Sequence, residues 1–321
     1  MKNKKISGYY KNILGNSTFT YVDLGSRGGL SEEWEKVQDI INVVLFEPEQ
    51  SEAEKLKKFA SKNTTVVPKA LWNFKGKVKF HTTRNASYSS VLKPDTKVLD
   101  GTYYFARNFY EVDDVSEINV DLLEDVLDDN GIQDIDFLKI DIQGAENYIF
   151  KSIKEWAKII GIHTEAYAAK LYEKGGDISI ILNELYRYNY QLYDIKTIAE
   201  APIVEIDGKN VFSKDMLNAR PKSGYKSRPM VFDLLLFNDK QYSLERNDRA
   251  HLRKAIFAFC VYEYFDHALY LAIKSFNRDI FLKTEKDLIV ESIINLHKNK
   301  MSKIQRFKEN LKSSSYSLEK R

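Results

Sequence analysis

Residues 19–29 read Phe-Thr-Tyr-Val-Asp-Leu-Gly-Ser-Arg-Gly-Gly, a run of aromatic and β-branched residues that passes directly into a glycine-rich loop. The run predicts a buried β-strand, and Ser31 followed by Glu32 and Glu33 marks the start of a helix. A strand, a tight glycine loop and a helix in this order are typical of the first unit of a doubly wound α/β sheet.

The same alternation of strands and helices continues along the chain. Further strands are predicted at residues 43–47, 64–67, 135–141 and 159–165, with helices beginning near Ser51, Asp121, Gly144 and Ile178. Residues 190–195 and 231–237 look like a closing antiparallel pair. The sequence therefore predicts an α/β fold with a doubly wound, mostly parallel, Rossmann-like sheet.

The middle of the chain departs from this alternation. Residues 77–81 alternate like an edge strand, and residues 82–115 are polar and aromatic without a clear period. A long irregular stretch inside a compact domain is more often a lid or a binding loop than a simple connection, so we expect it to cover a site.

Composition excludes several classes of protein. The 321 residues carry a net charge of +3, which is too small to indicate a nucleic-acid partner. The single cysteine, Cys260, excludes an intramolecular disulfide and fits a reducing compartment. No apolar segment follows the basic N-terminus or reaches the roughly 18 residues that would span a bilayer. We therefore expect a cytoplasmic protein, at most peripheral to a membrane.

The pattern becomes helical only beyond about Leu244, so we predict a catalytic domain at residues 1–244 and a helical extension at residues 245–321. The last helix is amphipathic. Its apolar stripe comprises Ile289, Ile293, Leu296, Ile304, Phe307 and Leu311, opposite a basic side with Lys298, Lys300, Lys303, Arg306, Lys308 and Lys312. Packing on its own domain is one reading, and contact with a second copy or a membrane surface is the other.

The first loop indicates which cofactor the sheet binds. Its sequence from Asp23 to Gly29 is not the G-x-G-x-x-G of a dinucleotide site, and an acidic strand end would repel a pyrophosphate. S-adenosylmethionine carries no phosphate, and its sulfonium and ammonium groups favour carboxylates. We therefore predict a cofactor site formed by a short set of loop residues: Asp23, Gly25, Ser26, Gly28 and Gly29.

Glu47 ends the second strand, where an acidic residue usually accepts hydrogen bonds from both ribose hydroxyls. On the third strand, Ala70 and Leu71 would border the adenine by analogy with the fold. Ordinary packing explains these two nearly as well. A nicotinamide-dependent oxidoreductase on a related sheet is an alternative, which the missing dinucleotide motif counts against.

The stretch Phe137-Leu138-Lys139-Ile140-Asp141-Ile142-Gln143-Gly144-Ala145-Glu146 is the most distinctive in the sequence. It resembles the FkbM family of methyltransferases, as do the Val-Asp-Leu-Gly loop, Phe46-Glu47-Pro48, residues 66–71, the serines at 87, 89 and 90, and Glu165. The resemblance covers roughly residues 18–195. Two departures from the family pattern are Gly-Ser-Arg in the first loop and Gln143, where the family carries an acidic residue.

The resemblance implies a Rossmann-like sheet of the seven-stranded methyltransferase type. It also implies S-adenosylmethionine as cofactor and O-methylation of a sugar, glycan or other hydroxylated metabolite. Asp141 would lie at the strand end, facing the methyl group. His163 and Glu165 are two residues apart on a strand and so share a face, as a base and an orienting carboxylate. A divalent metal held by Asp141, His163 or Glu165 is an alternative way to activate the hydroxyl.

The acceptor is predicted to bind in the middle loop, through Ser87, Tyr88 and Ser89, with Glu146 facing the same cavity or only favouring its helix N-terminus. Tyr103 and Tyr104 belong to the same candidate region. Serine and tyrosine side chains suit a polyhydroxylated substrate. A catalytically silent module that binds the cofactor is a further alternative.

Overall fold

The computed structural model describes residues 2–102, 104–201, 205–206, 209–210, 228–240 and 248–318. Its strands are β1 (Thr20–Leu24), β2 (Asn42–Phe46), β3 (Thr64–Val67), β4 (Ala70–Leu71), β5 (Gly76–Thr83), β6 (Val112–Asp121), β7 (Phe137–Ile140), β8 (Gly161–Tyr167), β9 (Tyr190–Ala201), β10 (Glu205–Ile206), β11 (Lys209–Asn210) and β12 (Arg228–Asn238). Its helices are α1 (Lys2–Leu14), α2 (Glu32–Glu35), α3 (Gln50–Phe59), α4 (Thr96–Thr102), α5 (Leu123–Asp129), α6 (Glu146–Phe150), α7 (Ile178–Arg187), α8 (Arg249–Val261), α9 (Phe265–Asn277) and α10 (Lys283–Leu318).

Within these described ranges, seven strands form the main sheet, in the order β3-β2-β1-β7-β8-β12-β9. The first five run parallel, and β12 lies antiparallel between β8 and β9. The predicted methyltransferase-type sheet and its closing antiparallel pair are therefore confirmed. A dinucleotide-binding sheet has the order 3-2-1-4-5-6 instead.

The strand order reverses between β1 and β7, and this switch point locates the ligand crevice. The register pairs Leu24 with Phe46 on one side and with Ile140 on the other, so β1, β2 and β7 end at the same level. In open α/β sheets, ligands bind outside the carboxyl ends of the strands at such a point. The predicted first loop and the predicted second acidic strand end both lie there.

Helices cover both faces of the main sheet. One face carries Tyr21 and Phe137, packed against α1, α2 and the C-terminal helices α8–α10. The other carries Val22 and Leu138, packed against α5, α6 and α7. The C-terminal helices thus form a layer on the sheet. The boundary near residue 244 stays a prediction, and residues 241–247 lie outside the described part of the chain.

The middle of the chain is more ordered than predicted. The expected edge strand at 77–81 is part of β5, which pairs with β6 in a separate sheet of order β4-β6-β5. Residues 82–115, expected to be irregular, contain α4, two short 3₁₀ helices and the start of β6. This unit shares a core with Tyr167 of β8 and Met230 of β12, so it packs beside the carboxyl end of β8.

In the part of the chain that the structure describes, no helix combines the length and the apolar character needed to span a bilayer.

Candidate functional site

The first loop packs tightly between its neighbours. The N–H groups of Gly25 and Ser26 donate to the carbonyl of Phe46 at 3.1 and 3.0 Å, and the N–H of Asp141 donates to Leu24 at 2.9 Å. Gly25 has a φ of 87°, and a Cβ there would lie 1.9 Å from the carbonyl oxygen of Asp141. Glycine is therefore required at this position by contact between two loops of the protein itself.

Gly28 and Gly29 lie further along the same loop, with φ values of 86° and 93°. A Cβ on Gly28 would meet nothing within 4 Å, whereas one on Gly29 would meet Leu56 at 3.9 Å. Ser26 is fully buried and donates its hydroxyl to the carbonyl of Asp23 at 2.8 Å. The backbone around Gly28 is thus the open part of the loop, where a ligand could approach.

Asp23 is fully buried beneath this loop. Its two carboxylate oxygens accept hydrogen bonds from the hydroxyl of Tyr21 at 3.1 Å and the ammonium of Lys139 at 3.0 Å. Burial disfavours the charged ammonium, but Asp23 and then Asp141 outweigh it and raise the pKa of Lys139. These contacts give Asp23 a role inside the protein, and its contact with the cofactor stays a prediction.

Glu47 directly follows β2 and is almost fully buried. One carboxylate oxygen accepts the N–H of Glu49 at 2.9 Å. Burial raises the pKa of Glu47, although that hydrogen bond and the nearby Arg27 oppose the shift. A buried carboxylate with one described donor has free capacity to accept hydrogen bonds, which fits the predicted contact with a ribose diol.

Ala70 and Leu71 form β4, which continues from the end of β3 and pairs with Val120 and Asp121 of β6. Leu71 packs into the core on the α5–α7 face, and Ala70 packs against the core of the small sheet. Both therefore have packing roles, and contact with the adenine stays a prediction.

His163 lies beside Lys139 in the register of β7 and β8. Its Nε2 is 3.8 Å from a carboxylate oxygen of Asp233 on β12, and its buried Nδ1 has no hydrogen-bond partner among the described residues. Burial lowers the pKa of His163, partly offset by Asp233. The imidazole is therefore neutral at neutral pH, which is the form a general base requires.

Asp141 and Glu165 are joined by Gln143, the residue at which the sequence departs from the family pattern. The amide nitrogen of Gln143 donates to Asp141 at 2.8 Å and to Glu165 at 3.1 Å. Gln143 has a φ of 57°, a conformation that side-chain-bearing residues rarely adopt. The reversed amide would set its oxygen against both carboxylates, so the hydrogen bonds fix its orientation.

Three tyrosines enclose this cluster. The oxygen of the Gln143 amide accepts from Tyr172 at 2.9 Å and faces Tyr167 at 3.3 Å. Tyr167 also hydrogen-bonds Glu165, and Tyr172 also bonds the carbonyl of Tyr88 at 2.9 Å. Burial, reinforced by Asp141, raises the pKa of Glu165 well above its ordinary value.

Glu146 faces the loop rather than the open side of the cluster. Its Oε1 accepts the N–H groups of Ile142 at 3.1 Å and Gly144 at 3.2 Å, and the side chain is buried. Burial raises the pKa of Glu146 to about 7. Its observed role is to shape the loop after β7, and contact with the acceptor stays a prediction.

The structure separates the residues predicted for the middle loop. Ser87 is exposed, and the hydroxyl of Ser89 accepts the N–H of Thr83 at 3.1 Å. Tyr88 stacks on Tyr110 with ring centroids 4.5 Å apart. Burial and then the charge of Glu165 raise the pKa of the Tyr88 phenol, so this phenol lies near Glu165. Of the three, Tyr88 therefore lies at the cluster. Tyr103 lies outside the described residues.

The predicted metal ligands do not converge. Across the described ranges, no group of three or more histidine, cysteine, aspartate or glutamate side chains could hold a metal ion. The N–H donors of Gln143 take the place between Asp141 and Glu165 where a cation would lie, and His163 faces Asp233 instead. The metal alternative stays untested, without support from this geometry.

Comparison with protein families identifies the chain. The model of the methyltransferase FkbM domain matches residues 31–192, just over half of the sequence. The chain belongs to the FkbM methyltransferase family. The match contains Glu47, Asp141, His163 and Glu165, whereas the first loop, residues 23–29, precedes it. The family resemblance expected from the sequence is thus confirmed.

Solved structures and curated proteins add little to this family assignment. Similar structures include a precorrin-6y C5,15-methyltransferase from Geobacter metallireducens, with 12% identity over 73% of this chain and 88% of that chain and a TM-score of 0.34. An S-adenosylmethionine-dependent methyltransferase from Mesorhizobium loti has 10% identity over 72% and 96% and a TM-score of 0.34. No curated protein matches the chain.

This FkbM domain is a methyltransferase that uses S-adenosylmethionine, as its family membership implies. The residues at the switch point fit that cofactor, because the buried carboxylate of Glu47 can accept hydrogen bonds from its ribose and the half-buried carboxylate of Asp141 favours its positive charges. The loop is also open at Gly28. The match to a methyltransferase domain counts against both the nicotinamide-dependent oxidoreductase and the silent module. Sequence reasoning missed Lys139, Asp233, Tyr167 and Tyr172 as members of the site.

Proposed function

We propose that this FkbM domain is an O-methyltransferase that methylates a hydroxyl of a sugar, a glycan or a similarly hydroxylated metabolite. The cluster of Asp141, Gln143 and Glu165 beneath Tyr88 carries the proposal. Carboxyl and amide groups bind hydroxyls through several hydrogen bonds, and an adjacent aromatic ring suits the apolar face of a sugar.

The cofactor, when bound, supplies a methyl group already activated by the sulfonium. In this proposal Glu47 holds the ribose, and the open backbone near Gly28 borders the same ligand. Most of the rate then comes from alignment of the acceptor oxygen, which is a matter of position rather than of covalent chemistry on the protein. Gln143 and its tyrosine partners fix the carboxyl groups that provide this alignment.

An alcohol becomes a good nucleophile only when its proton leaves. Asp141, half-buried just after β7, is placed to accept a hydrogen bond from the acceptor hydroxyl. His163 lies two residues before Glu165 on β8, and burial keeps its imidazole neutral. We propose that Asp141 orients the hydroxyl and that His163 is the neutral base. Removing either the general base or the orienting carboxylate should lower kcat by about 100-fold or more.

The test is transfer of isotope-labelled methyl groups to matched acceptors. Methyl glycosides and their amino-sugar counterparts differ in a single hydroxyl or amine, so the labelled product identifies the methylated atom. We expect labelled methyl ethers, strongly reduced in Asp141→Asn and His163→Gln. Glu173→Gln, on an exposed residue paired with Lys93, serves as the matched control. Labelling of the amine alone would contradict the proposal.

The burial of the predicted apolar stripe favours packing of the helical extension on its own domain over a partner site. Ile289, Ile293 and Leu296 of the predicted stripe are buried in the main core. Lys298 on the basic side is exposed. Contact of that side with a second copy or a membrane surface stays a proposal, as do the cytoplasmic location and a glycan acceptor.

A further inference from the structure

The O–H groups around Gln143 are too few for the oxygen contacts there. The hydroxyls of Tyr167 and Tyr172 face three oxygen atoms: the carbonyl of Tyr88, the amide oxygen of Gln143 and a carboxyl oxygen of Glu165, which also accepts the Gln143 N–H. Each hydroxyl has a single proton. With Glu165 ionised, Tyr167 can donate to Glu165 only if the Gln143 amide oxygen or the Tyr88 carbonyl loses its donor. If Tyr167 donates to Gln143 instead, its oxygen lies in close contact with the Glu165 carboxylate with no hydrogen between them, which is costly for buried groups.

A proton on Glu165 satisfies the whole network. The carboxylic acid then donates to Tyr167, Tyr167 donates to Gln143, and Tyr172 donates to the carbonyl of Tyr88. The amide nitrogen of Gln143 meanwhile donates to Asp141, which remains the acceptor. We infer that Glu165 carries a proton, so that Asp141 and Glu165 face the acceptor as one carboxylate and one carboxylic acid, bridged by Gln143.

The surroundings of Glu165 favour the same state. The cation among its neighbours, Lys139, is ion-paired with Asp23 at 3.0 Å. Burial and nearby carboxylates both disfavour a second negative charge. The ionisable groups that act on Glu165 are Asp141, Tyr167, Lys139, Glu146, Asp233, Tyr88 and Tyr172.

This state defines a class of acceptor, and that consequence depends on the proposed O-methylation. The acid proton of Glu165 is directed to Tyr167, so Asp141 and the second oxygen of the Glu165 carboxyl group can each accept an O–H of a vicinal diol. With one negative charge instead of two, the pair attracts a protonated amine less than two carboxylates would. The pair therefore favours a neutral, hydroxylated acceptor over a cationic one.

Infrared spectroscopy of the full-length protein, labelled with ¹³C in the glutamate carboxyl groups, tests the proton directly. The measurement is made at neutral pH in the Glu146→Gln background, because the pKa of Glu146 is about 7 and its side chain would otherwise contribute a carboxylic-acid band of its own. We expect a labelled carboxylic-acid band in Glu146→Gln that is lost in the double variant Glu146→Gln/Glu165→Gln. Absence of the band in Glu146→Gln, or its persistence in the double variant, would overturn the inference.

The bridging role of Gln143 has its own signature. Asparagine tolerates the left-handed backbone at this position but is too short to reach both carboxyl groups. Gln143→Asn should therefore shift the Glu165 band to higher frequency, because the carboxyl loses an N–H donor. Tyr167→Phe should also shift the band, and an unchanged band in both variants would overturn the bridge. The measurement needs neither methyl donor nor acceptor, so it can fail independently of the proposed function.

Discussion

Gly25 and Gly28 have nearly the same backbone φ but different surroundings. Any side chain at Gly28 pays about 1–2 kcal/mol for the left-handed backbone and enters open space. At Gly25 the same substitution also forces a Cβ against the carbonyl oxygen of Asp141. We predict that Gly25→Ala lowers the free energy of unfolding by roughly twice as much as Gly28→Ala, or more, in urea titrations. Equal losses would show that the two loops separate easily.

Glu146 should make stability depend on pH. Its pKa is raised from 4.5 to about 7, so the folded protein keeps a proton there that the unfolded chain has released. Glu146 therefore makes the free energy of unfolding fall by about 3 kcal/mol as the pH rises between these values. Glu165 and Glu47, whose pKa values are also raised, add declines of their own. In Glu146→Gln the amide oxygen still accepts both N–H groups, so the decline measured in urea titrations should be about 3 kcal/mol smaller than in the wild type. An unchanged pH dependence in the variant would contradict the assignment.

The chemistry of single residues was predictable where a short motif carries it. Glu47 and Asp141 follow strands whose apolar runs are plain in the sequence, so their place at the switch point could be inferred. Gln143 could not be recognised as a bridge, because its partners Tyr167 and Tyr172 lie more than twenty residues away. No local periodicity specifies that contact.

At the scale of elements, Arg253 of α8 connects three helices through hydrogen bonds. Its guanidinium donates to the carbonyls of Asn12 and Ile13 at the end of α1 and to Glu285 of α10 at 2.9 Å. The side chain is 8% exposed. Because removal leaves the two carbonyls of α1 without this donor and takes one of several donors from the half-buried Glu285, we predict that Arg253→Ala costs about 2–3 kcal/mol of unfolding free energy. Denaturant titration measures the loss.

Arg249 provides the matched control, since it also pairs with Glu285, at 3.3 Å, but is half exposed. Exposed ion pairs contribute roughly 0–1 kcal/mol, so Arg249→Ala should be nearly neutral. Similar effects of the two substitutions would mean that Arg253 does not join the helices.

Elements were predictable where burial leaves an apolar pattern. The buried strands of the main sheet show such a pattern. Strand β6 (Val112–Asp121) instead exposes most of its residues, and its sequence is Val-Asp-Asp-Val-Ser-Glu-Ile-Asn-Val-Asp. Its pairing with β5 was therefore missed, because charged residues on a solvent-facing strand give no hydrophobic signal. The basic helix α1 was missed for a related reason, since its apolar residues are few.

At the scale of the whole molecule, the helical extension closes one face of the sheet. Tyr21, Phe137 and Phe237 of the sheet pack in the same core as Phe257 and Phe259 of α8. We predict that a fragment of residues 1–240 is insoluble or molten alone, because this apolar face would be exposed. Co-expression with residues 248–321 should restore a cooperative thermal transition. A folded, soluble fragment 1–240 would contradict this account.

The number of layers could be predicted from the sequence, but not which helices build them. Amphipathic periodicity shows that a helix buries one side without showing what covers it. The packing of α8–α10 depends on contacts between residues more than two hundred positions apart, such as Tyr10 of α1 with Cys260 of α8. Such contacts are visible only once the chain is folded.

Calorimetric titration with S-adenosylmethionine, S-adenosylhomocysteine and NAD tests the central claim most directly. We predict micromolar binding of the first two, no binding of NAD, and a loss of at least about tenfold in affinity in Glu47→Ala, worth about 1.4 kcal/mol. Glu49→Ala, on an exposed carboxylate two residues away, should bind like the wild type. Binding of NAD, or no binding of either methyl-donor ligand, would contradict the account.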